Sequence, residues 1–457
     1  MNVLVIVLDS LRADHVGCYG SRVATPNIDR LAQEGTLCRQ AFSESLPTSP
    51  IRTSWWTGRV GFPTRGWKPF EPGDVLLAEV LWDKGYTSAL ITDVYHMHKP
   101  VYNCGRGFDT VVWVRGQEYD PWIVDDTIPV DLSRHRLKGD ESDALWRPRF
   151  EQYLRNMSVV RGEEDYFAPR VIKEAIRWLE HVTRQGRKDR LFLWVDCFDP
   201  HEPWDPPDPW RTMYDPGYTG QELIDPVAGD TAGYMTPREI AHTKALYAGE
   251  VTFVDKWVGV LLDALRALGL YEDTLIMVTS DHGEPFGEHG YIRKARPWNH
   301  EQLVHIPWII RHPEGIGRGK ALDALVQTTE MMPTILDALN IPLPLEQTFL
   351  APTRTMFPQD MPVASTTVHL HGYSLLPLMR GDVAQVRSFV CSGHHERQWA
   401  IRTHDWAYLL NVDGSGGPEL YDRHKDLEEQ HNLVEREPEV ADWLELTLRR
   451  WVASLPA

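Results

Sequence analysis

The sequence lacks an apolar run long enough to cross a bilayer, and this absence limits where the protein can work. A membrane-spanning helix needs about 20 consecutive apolar residues, and no stretch of the 457 residues approaches that length. The segment from Met1 to Asp9 carries no basic residue and no cleavage site, so it is unlike a secretory signal. We therefore expect a cytoplasmic protein with no membrane span.

Cysteine and positive charge are also scarce. The five cysteines are scattered without C-x-x-C spacing, which is typical of reduced, mostly buried thiols. Lysine and arginine total 47 against 65 acidic residues, so the net charge is −18. Because nucleic-acid-binding surfaces are normally basic, we expect no nucleic-acid partner. An anionic substrate must then be attracted by a metal ion or by local cations.

The length and the 42% hydrophobic content allow one large α/β domain with an appendage. We predict a catalytic domain over residues 1–368 and a smaller α+β subdomain over 369–457, with a small antiparallel sheet and a terminal helix. Residues 115–165 are polar and irregular, and residues 342–367 are rich in proline and threonine. Such long insertions serve as lids, as contacts in a homo-oligomer or as disordered segments, and all three roles stay open.

Three apolar, β-branched runs each end abruptly in acidic residues, and amphipathic helical patterns precede the second and third. This alternation predicts a doubly wound, mostly parallel sheet flanked by helices. Ligands in such sheets gather beyond the carboxyl ends of the strands. The runs and the residues that follow them are Val3–Leu8 with Asp9, Leu191–Val195 with Asp196, and Leu275–Thr279 with Asp281. Further predicted elements are helices over 26–35 and 74–82 and strands over 86–91 and 306–310.

The segment from Pro47 to Arg59 combines a hydroxyl, Thr48, with Pro50 and Arg52. Because proline suits the first turn of a helix, we predict a helix over 51–56 with Thr48 at its N-terminal end. Backbone N–H groups and the helix dipole favour an anion there, and Arg52 could clamp the same anion. The alternative is an ordinary capped surface helix.

The same strand ends supply a metal-ligand set. Asp9 and Asp281 offer carboxylates, His282 an imidazole and Thr48 a hydroxyl oxygen, which together could hold one divalent cation. A mixed carboxylate and imidazole set favours Mn²⁺ or Zn²⁺, with Ca²⁺ and Mg²⁺ as alternatives. A single aspartate at a strand end is often only a helix cap. However, the many ionisable residues of the segment 281–290 would be costly after a buried strand without a counter-charge.

These motifs and their order resemble those of the sulfatase-like hydrolases of the alkaline phosphatase superfamily. The pattern Thr48-x-Pro50-x-Arg52, followed by Thr-Gly-Arg, is similar to the nucleophile segment of that family, with threonine at the nucleophile position. The resemblance implies an alkaline-phosphatase-like fold. The other matching segments are Asp9–Gly20, Phe198–Trp204, Ser280–Gly290, Ser374–Leu378 and Glu419–Asp422.

The resemblance also implies roles for individual residues. We expect one metal ion, and a second ion on His201 and His300 would need another carboxylate. Asp9, Asp281 and His282 would be metal ligands, and Thr48 would be both a ligand and the nucleophile. The residues implied to bind the charged oxygens of the substrate or to protonate the leaving group are Arg52, His201 and Lys294, with His289 and His300 as further substrate-binding candidates.

The sequence departs from the sulfatase pattern at three places. Ser10 replaces a second aspartate, the segment 92–95 lacks the sulfate-binding lysine, and threonine cannot give the formylglycine aldehyde that sulfatases use. We therefore predict hydrolysis of a small anionic ester, a phosphodiester or phosphonate monoester, through a phosphothreonine on Thr48. The alternatives are a sulfatase, a transferase of a phospho-substituent to an alcohol, and an inactive metal-binding module.

Overall fold

An eight-stranded sheet forms the centre of the computed structural model, which describes residues 1–294, 299–342, 345–349 and 364–455. The strands, in chain order, are β1 (Asn2–Leu8), β2 (Thr36–Phe42), β3 (Ser45–Leu46), β4 (Thr87–Thr92), β5 (Thr110–Trp113), β6 (Leu191–Cys197), β7 (Gly229–Asp230), β8 (Thr274–Thr279), β9 (Tyr291–Ile292), β10 (His305–Arg311), β11 (Lys320–Gln327), β12 (Leu345–Phe349), β13 (Ala364–Val368), β14 (Val390–His394), β15 (Gln398–Arg402), β16 (Trp406–Asn411) and β17 (Glu419–Asp422). The helices are α1 (Pro26–Glu34), α2 (Thr48–Thr57), α3 (Leu77–Asp83), α4 (Asp143–Met157), α5 (Phe167–Arg184), α6 (Trp210–Met213), α7 (Pro237–Ala267), α8 (Glu301–Val304), α9 (Met331–Ala338), α10 (Leu376–Arg380) and α11 (Pro438–Ser454).

The strand order of the large sheet is β11-β2-β10-β8-β1-β6-β4-β5. Strand β1 runs parallel to both of its neighbours, with Leu8 opposite Cys197 of β6 and Val7 opposite Thr279 of β8. Within the described residues, β10 is antiparallel to β8 and β2, and the other pairings of this sheet are parallel. The predicted mostly parallel sheet is confirmed, and the three acidic strand ends meet at its centre.

Strand β1 shows why the sheet is covered by helices on both faces. Its seven residues are all buried, as expected for a strand with helices on either side. Leu4, Ile6 and Leu8 share one apolar cluster with residues of α1, α5 and α7. The alternating residues Val3, Val5 and Val7 share the other cluster with residues of α2, α3 and α9. The uninterrupted apolar run in the sequence is therefore the signature of a core strand.

A second sheet, in the order β17-β16-β15-β14-β3, carries the C-terminal part of the chain. Helix α11 packs on it through Leu444 and Leu448, which share a cluster with Ile401 and Tyr408. The predicted small C-terminal sheet is confirmed, and the domain bounds 1–368 and 369–457 stay a prediction. Its edge strand β3 comes from the N-terminal half and pairs in parallel with β14. The C-terminal sheet thus holds the residues directly before Pro47.

Both predicted insertions contain regular secondary structure that the sequence did not predict. Residues 115–165 are not irregular throughout, because they contain the fifteen-residue helix α4. Phe150 and Tyr153 of this helix are buried, and the Asn156 amide donates to backbone carbonyls at 2.8 Å. In the other insertion, β12 and β13 form an antiparallel pair. The remainder of 343–363 lies outside the described residues.

The five cysteines are all free thiols, with Cys18 half-buried and the other four buried. This agrees with the unpaired thiols expected from their spacing. Across the described ranges, no helix combines the length and the apolar character that a bilayer crossing requires.

We predict that Leu444→Ala lowers the free energy of unfolding by about 2–5 kcal/mol, because Leu444 is fully buried and its truncation leaves a cavity under the C-terminal sheet. The matched control is Leu446→Ala on the same helix, where the side chain is 48% exposed and the change stays within about 0.5 kcal/mol. Urea denaturation followed by tryptophan fluorescence measures both. Equal losses for the two variants would contradict the packing of α11 described above.

Candidate active site

The backbone that follows β1 is locked by hydrogen bonds to other elements. Ser10 has a left-handed backbone with φ +62°, and its N–H donates to Oδ1 of Asp281 at 3.1 Å. The buried Tyr247 hydroxyl of α7 donates to the Ser10 carbonyl at 2.8 Å and accepts the Arg12 N–H at 2.9 Å. Non-glycine residues in this region are strained by about 1–3 kcal/mol and persist only where their surroundings hold them. Here the surroundings hold the two acidic strand ends together.

Asp9, Asp281 and His282 form a buried ligand set whose donor atoms lie within 4.8 Å of one another. The Nδ1 atom of His282 lies 2.9 Å from the Gly283 carbonyl, so Nδ1 carries the proton and Nε2 keeps a free lone pair. Nε2 lies 3.9 Å from Asp9 Oδ1 and 3.6 Å from Asp281 Oδ2. It is buried without a hydrogen-bond partner. Burial also lowers the pKa of His282, which favours the neutral, metal-binding imidazole.

The charges around this set do not balance within the protein. Asp9, Asp196 and Asp281 all contact the guanidinium of Arg52, and the four side chains are at most 1% exposed. If all three carboxylates are ionised, one guanidinium leaves a buried excess of two negative charges. Burial and the neighbouring Asp281 carboxylate raise the pKa of Asp9 well above its ordinary value. A divalent cation would cancel the excess, so the residues present fit a single divalent metal ion.

Arg52 uses all five of its N–H groups on protein acceptors. Nε and Nη2 bind Asp196 at 3.0 and 2.6 Å, and Nη2 also binds Asp9 at 3.1 Å. Nη1 binds Asp281 at 2.9 Å and the Thr48 carbonyl at 2.8 Å. The clamp on a substrate anion stays a prediction, and in this structure the guanidinium is engaged by carboxylates and the Thr48 carbonyl.

Thr48 stands at the start of α2, which begins three residues before the predicted helix. Its side chain is 3% exposed, and the Arg52 bond to its carbonyl links it to the same guanidinium that holds Asp9 and Asp281. The buried Glu44 carboxylate supports this helix by accepting hydrogen bonds from Ser54 and from the Gly61 N–H. Helix α2 is thus linked by hydrogen bonds both to the ligand set, through Arg52, and to the loop that follows the helix, through Glu44.

His201 and Lys294 form a second group around Glu202. The Nδ1 atom of His201 lies 2.8 Å from the Glu202 carbonyl, and burial lowers the pKa of the ring to about 3. Lys294 Nζ lies 2.9 Å from Glu202 and 2.7 Å from Glu284. Burial opposes the charge of Lys294, but these two carboxylates outweigh it and raise the pKa of Lys294 well above its ordinary value. His201 is therefore neutral at physiological pH, and Lys294 is protonated.

His289 and His300 lie in another cluster, whose partners come from the C-terminal part of the chain. The two rings stack with centroids 3.7 Å apart. His300 Nδ1 is 2.8 Å from Glu429, and Nε2 is 3.5 Å from Glu419. The structure therefore separates His300 from His201, and it does not assemble the two around one ion. Among the described residues, the close group of three or more ionisable metal ligands is the Asp9 set.

The loop after β6, which carries His201, is held by hydrogen bonds of residues for which the sequence predicted no role. Asp93 stands in the segment that lacks the expected lysine, and its carboxylate accepts the Phe198 N–H at 2.7 Å. Asp199 accepts from the Gln117 amide at 2.5 Å and from the Ala168 N–H at 3.2 Å. Part of the 115–165 insertion thus fixes the loop that carries His201.

Three further residues of the site had no predicted role: Asp196, Glu202 and Glu284. Burial raises the pKa of Glu284 to about 8, while Glu202 is 1% exposed and Asp196 fully buried. The available signal was their position, since Asp196 ends a core strand and Glu202 and Glu284 closely follow predicted site histidines. Their partners are too distant in sequence for local patterns to reveal them.

Comparison with known proteins gives a consistent picture. The family model described as Sulfatase matches residues 1–341. Arylsulfatase K of Rattus norvegicus is 26% identical over 485 residues, covering 98% of this chain and 77% of that protein. An arylsulfatase of Clostridium perfringens is 24% identical over 384 residues, covering 75% of this chain and 76% of that protein. The crystal structure of phosphonate monoester hydrolase of Agrobacterium radiobacter shares the fold, with a TM-score of 0.75, 21% identity and coverage of 99% of this chain and 96% of that chain.

We predict that Mn²⁺ raises the melting temperature of the metal-stripped protein. We also predict that His282→Ala needs at least about 10-fold more Mn²⁺ to reach the same rise in melting temperature. A cation that binds only the folded state stabilises it, by about 2.7 kcal/mol at 100 times its Kd. Differential scanning fluorimetry with a Mn²⁺ series measures the shift. The control is Asp323→Asn, whose side chain is 74% exposed. An unchanged Mn²⁺ response in His282→Ala would exclude this ligand set.

Proposed function

The chain belongs to the sulfatase family, and from this premise we propose that it is a metal-dependent hydrolase of phosphodiesters or phosphonate monoesters that uses Thr48 as its nucleophile. The observation that carries the proposal is the burial of three carboxylates on one guanidinium beside the unpartnered Nε2 of His282. That arrangement calls for a divalent cation, and Arg52 ties Thr48 to it through the Thr48 carbonyl.

Asp9, Asp281 and His282 would hold the cation, with the Thr48 hydroxyl as a fourth ligand. When bound, such an ion supplies positive charge beside the ester oxygens and makes a neighbouring hydroxyl more acidic. Mn²⁺ or Zn²⁺ suits the mixed ligand set. Arg52 contributes indirectly, because its hydrogen bonds hold the carboxylates of Asp9, Asp196 and Asp281 in place.

The covalent step uses Thr48 at the N-terminal end of α2, where the helix dipole favours negative charge. The Thr48 hydroxyl gives up its proton as its oxygen forms a bond to phosphorus, and the bond from phosphorus to the leaving oxygen breaks. One proton passes in turn to the leaving oxygen, which departs as an alcohol, so the step is balanced. Water then attacks the phosphothreonine, which restores the hydroxyl and releases the acid product.

His201 and Lys294 have different roles, proton exchange for His201 and charge stabilisation for Lys294. The proton on His201 Nδ1 is engaged by the Glu202 carbonyl, so Nε2 is the nitrogen that exchanges protons with the leaving oxygen or with water. Lys294 keeps its proton and acts as a cation that stabilises negative charge on the ester oxygens. The separate position of His289 and His300 favours contact with outer parts of the substrate.

One observation favours a phosphorus ester over a sulfate ester: threonine at position 48 cannot be converted to an aldehyde. Charge favours a diester or phosphonate monoester over a phosphate monoester, because each of the former carries a single negative charge, which suits one cation site among many carboxylates. The arylsulfatase relatives support sulfate hydrolysis as the second candidate. Transfer of the phospho-substituent to an alcohol acceptor would use the same phosphothreonine.

We predict that Thr48→Ala lowers kcat at least on the order of 10³-fold, because the nucleophile is lost. Thr53→Ala is the matched control, since Thr53 is a buried threonine of the same helix whose hydroxyl bonds the Ser49 carbonyl. Turnover of bis(4-nitrophenyl) phosphate measures both, and mass spectrometry of quenched wild-type enzyme detects the adduct on Thr48. Retention of more than about a tenth of the activity in Thr48→Ala would rule out this nucleophile.

We predict that the Mn²⁺-loaded enzyme prefers bis(4-nitrophenyl) phosphate and 4-nitrophenyl phenylphosphonate to 4-nitrophenyl phosphate and 4-nitrophenyl sulfate, by at least about 10-fold in kcat/KM. The four esters share one leaving group, so the comparison isolates the charge and the central atom. A preference for the sulfate would support the second candidate instead. Glycerol esters among the products, when glycerol is added, would identify a transferase.

A further inference from the structure

The buried carboxylate of Glu202 contacts three charged or ionisable side chains, those of Lys294, Arg293 and His201. It is 1% exposed, and it binds Lys294 through both oxygens at 3.1 and 2.9 Å. It also accepts from Arg293 Nε at 2.6 Å and lies 3.2 Å from His201 Nδ1. One carboxylate thus connects the loop after β6 with the segment that follows β9.

The backbone at Arg293 is shaped so that two consecutive side chains reach this carboxylate. In an extended segment, successive side chains point to opposite sides. Arg293 has a left-handed conformation with φ +61°, which turns the chain and brings the side chains of both Arg293 and Lys294 to Glu202. Arg293 itself is fixed from its other side by Asp225 at 2.7 Å.

We propose that Glu202 is a positioning residue for Lys294: it holds the ammonium group of Lys294 in the place where that group acts on the ester. This rests on the role of Lys294 in the proposed function. Glu284 is the second carboxylate on Lys294, at 2.7 Å, and it lies two residues after His282. Glu202 and Glu284 therefore bind the ammonium group of Lys294 from two different loops. These two contacts fix the distance between the ammonium group and the metal-ligand set.

The alternative is that Glu202 only stabilises the fold. A positioning role predicts that Glu202 matters only while Lys294 is present, whereas a fold role predicts the same loss with or without it. Activity in a double-mutant cycle distinguishes these two cases. In addition, a positioning residue affects kcat more than KM when its partner acts mainly in the transition state.

The experiment measures kcat and KM of the Mn²⁺-loaded enzyme on bis(4-nitrophenyl) phosphate for Glu202→Gln, Lys294→Gln and the double variant. We expect Lys294→Gln to lower kcat/KM by about 10²-fold. Glu202→Gln should lower it by about 10-fold or more in the wild-type background, mainly through kcat. In the Lys294→Gln background, the same change should cost less than about 3-fold, because the group that Glu202 positions is already gone.

Asp225→Asn is the matched control, since Asp225 belongs to the same buried network through Arg293 but has no bond to Lys294. Its effect should be equal in both backgrounds. Equal losses from Glu202→Gln in both backgrounds would overturn the proposal. No effect of Lys294→Gln would instead refute the role of Lys294 in the proposed function. If Glu202→Gln does not fold, Glu202→Asp enters the same cycle, with the same criterion applied.

Discussion

The structure depends on one electrostatic constraint, the burial of three carboxylates around a single guanidinium. Asp9, Asp196 and Asp281 come from the ends of three neighbouring strands, and Arg52 is their common cation. Removing charges from water is costly unless they are paired and hydrogen-bonded. Arg52 satisfies this condition only in part, because one guanidinium faces three carboxylates, and burial beside Asp281 raises the pKa of Asp9. Under the proposed function, a divalent cation would offset the remaining charge, and metal binding would then be linked to the local stability of the strand ends.

The topology of the sheet makes this concentration of charge unavoidable. Strand β1 is central and parallel to both β6 and β8, so the residues that follow the three strands emerge side by side at one edge. The C-terminal sheet adds a constraint from outside. Strand β3 pairs with β14 two residues before Thr48, and this pairing fixes the entry of the chain into α2. The smaller sheet therefore contributes to the site by placing the start of α2, where Thr48 stands.

Core strands and motif residues could be predicted from sequence because their signals are local. The β1 run and the 281–282 pair are examples, and both lie where predicted. Elements stabilised by distant partners could not be predicted. Strand β11 is exposed over most of its first half, so its sequence lacks the apolar run of a core strand. Helix α4 lies in a stretch of mostly polar residues, where no clear helical pattern of apolar residues could be seen. Helix α3 begins three residues after the predicted Asp74, because the Asp74 carboxylate accepts the Glu71 N–H in a preceding turn. The carboxylate partners of Arg52 could not be predicted for the same reason, since they lie 43 to 229 residues away.

The charge distribution also bears on the substrate. Lys294 faces Glu202 and Glu284, and Arg293 faces Glu202 and Asp225, so both cations are largely neutralised by their own carboxylates. Arg52 is more than neutralised by three. An incoming anion therefore meets little uncompensated positive charge from the protein, and under the proposed function its attraction would come chiefly from the divalent cation. A doubly charged monoester would then need more than one such ion to offset the surrounding carboxylates, whereas one divalent cation would suffice for a singly charged ester. The charge distribution thus supports the proposed preference for ester groups of low charge, whichever central atom they carry.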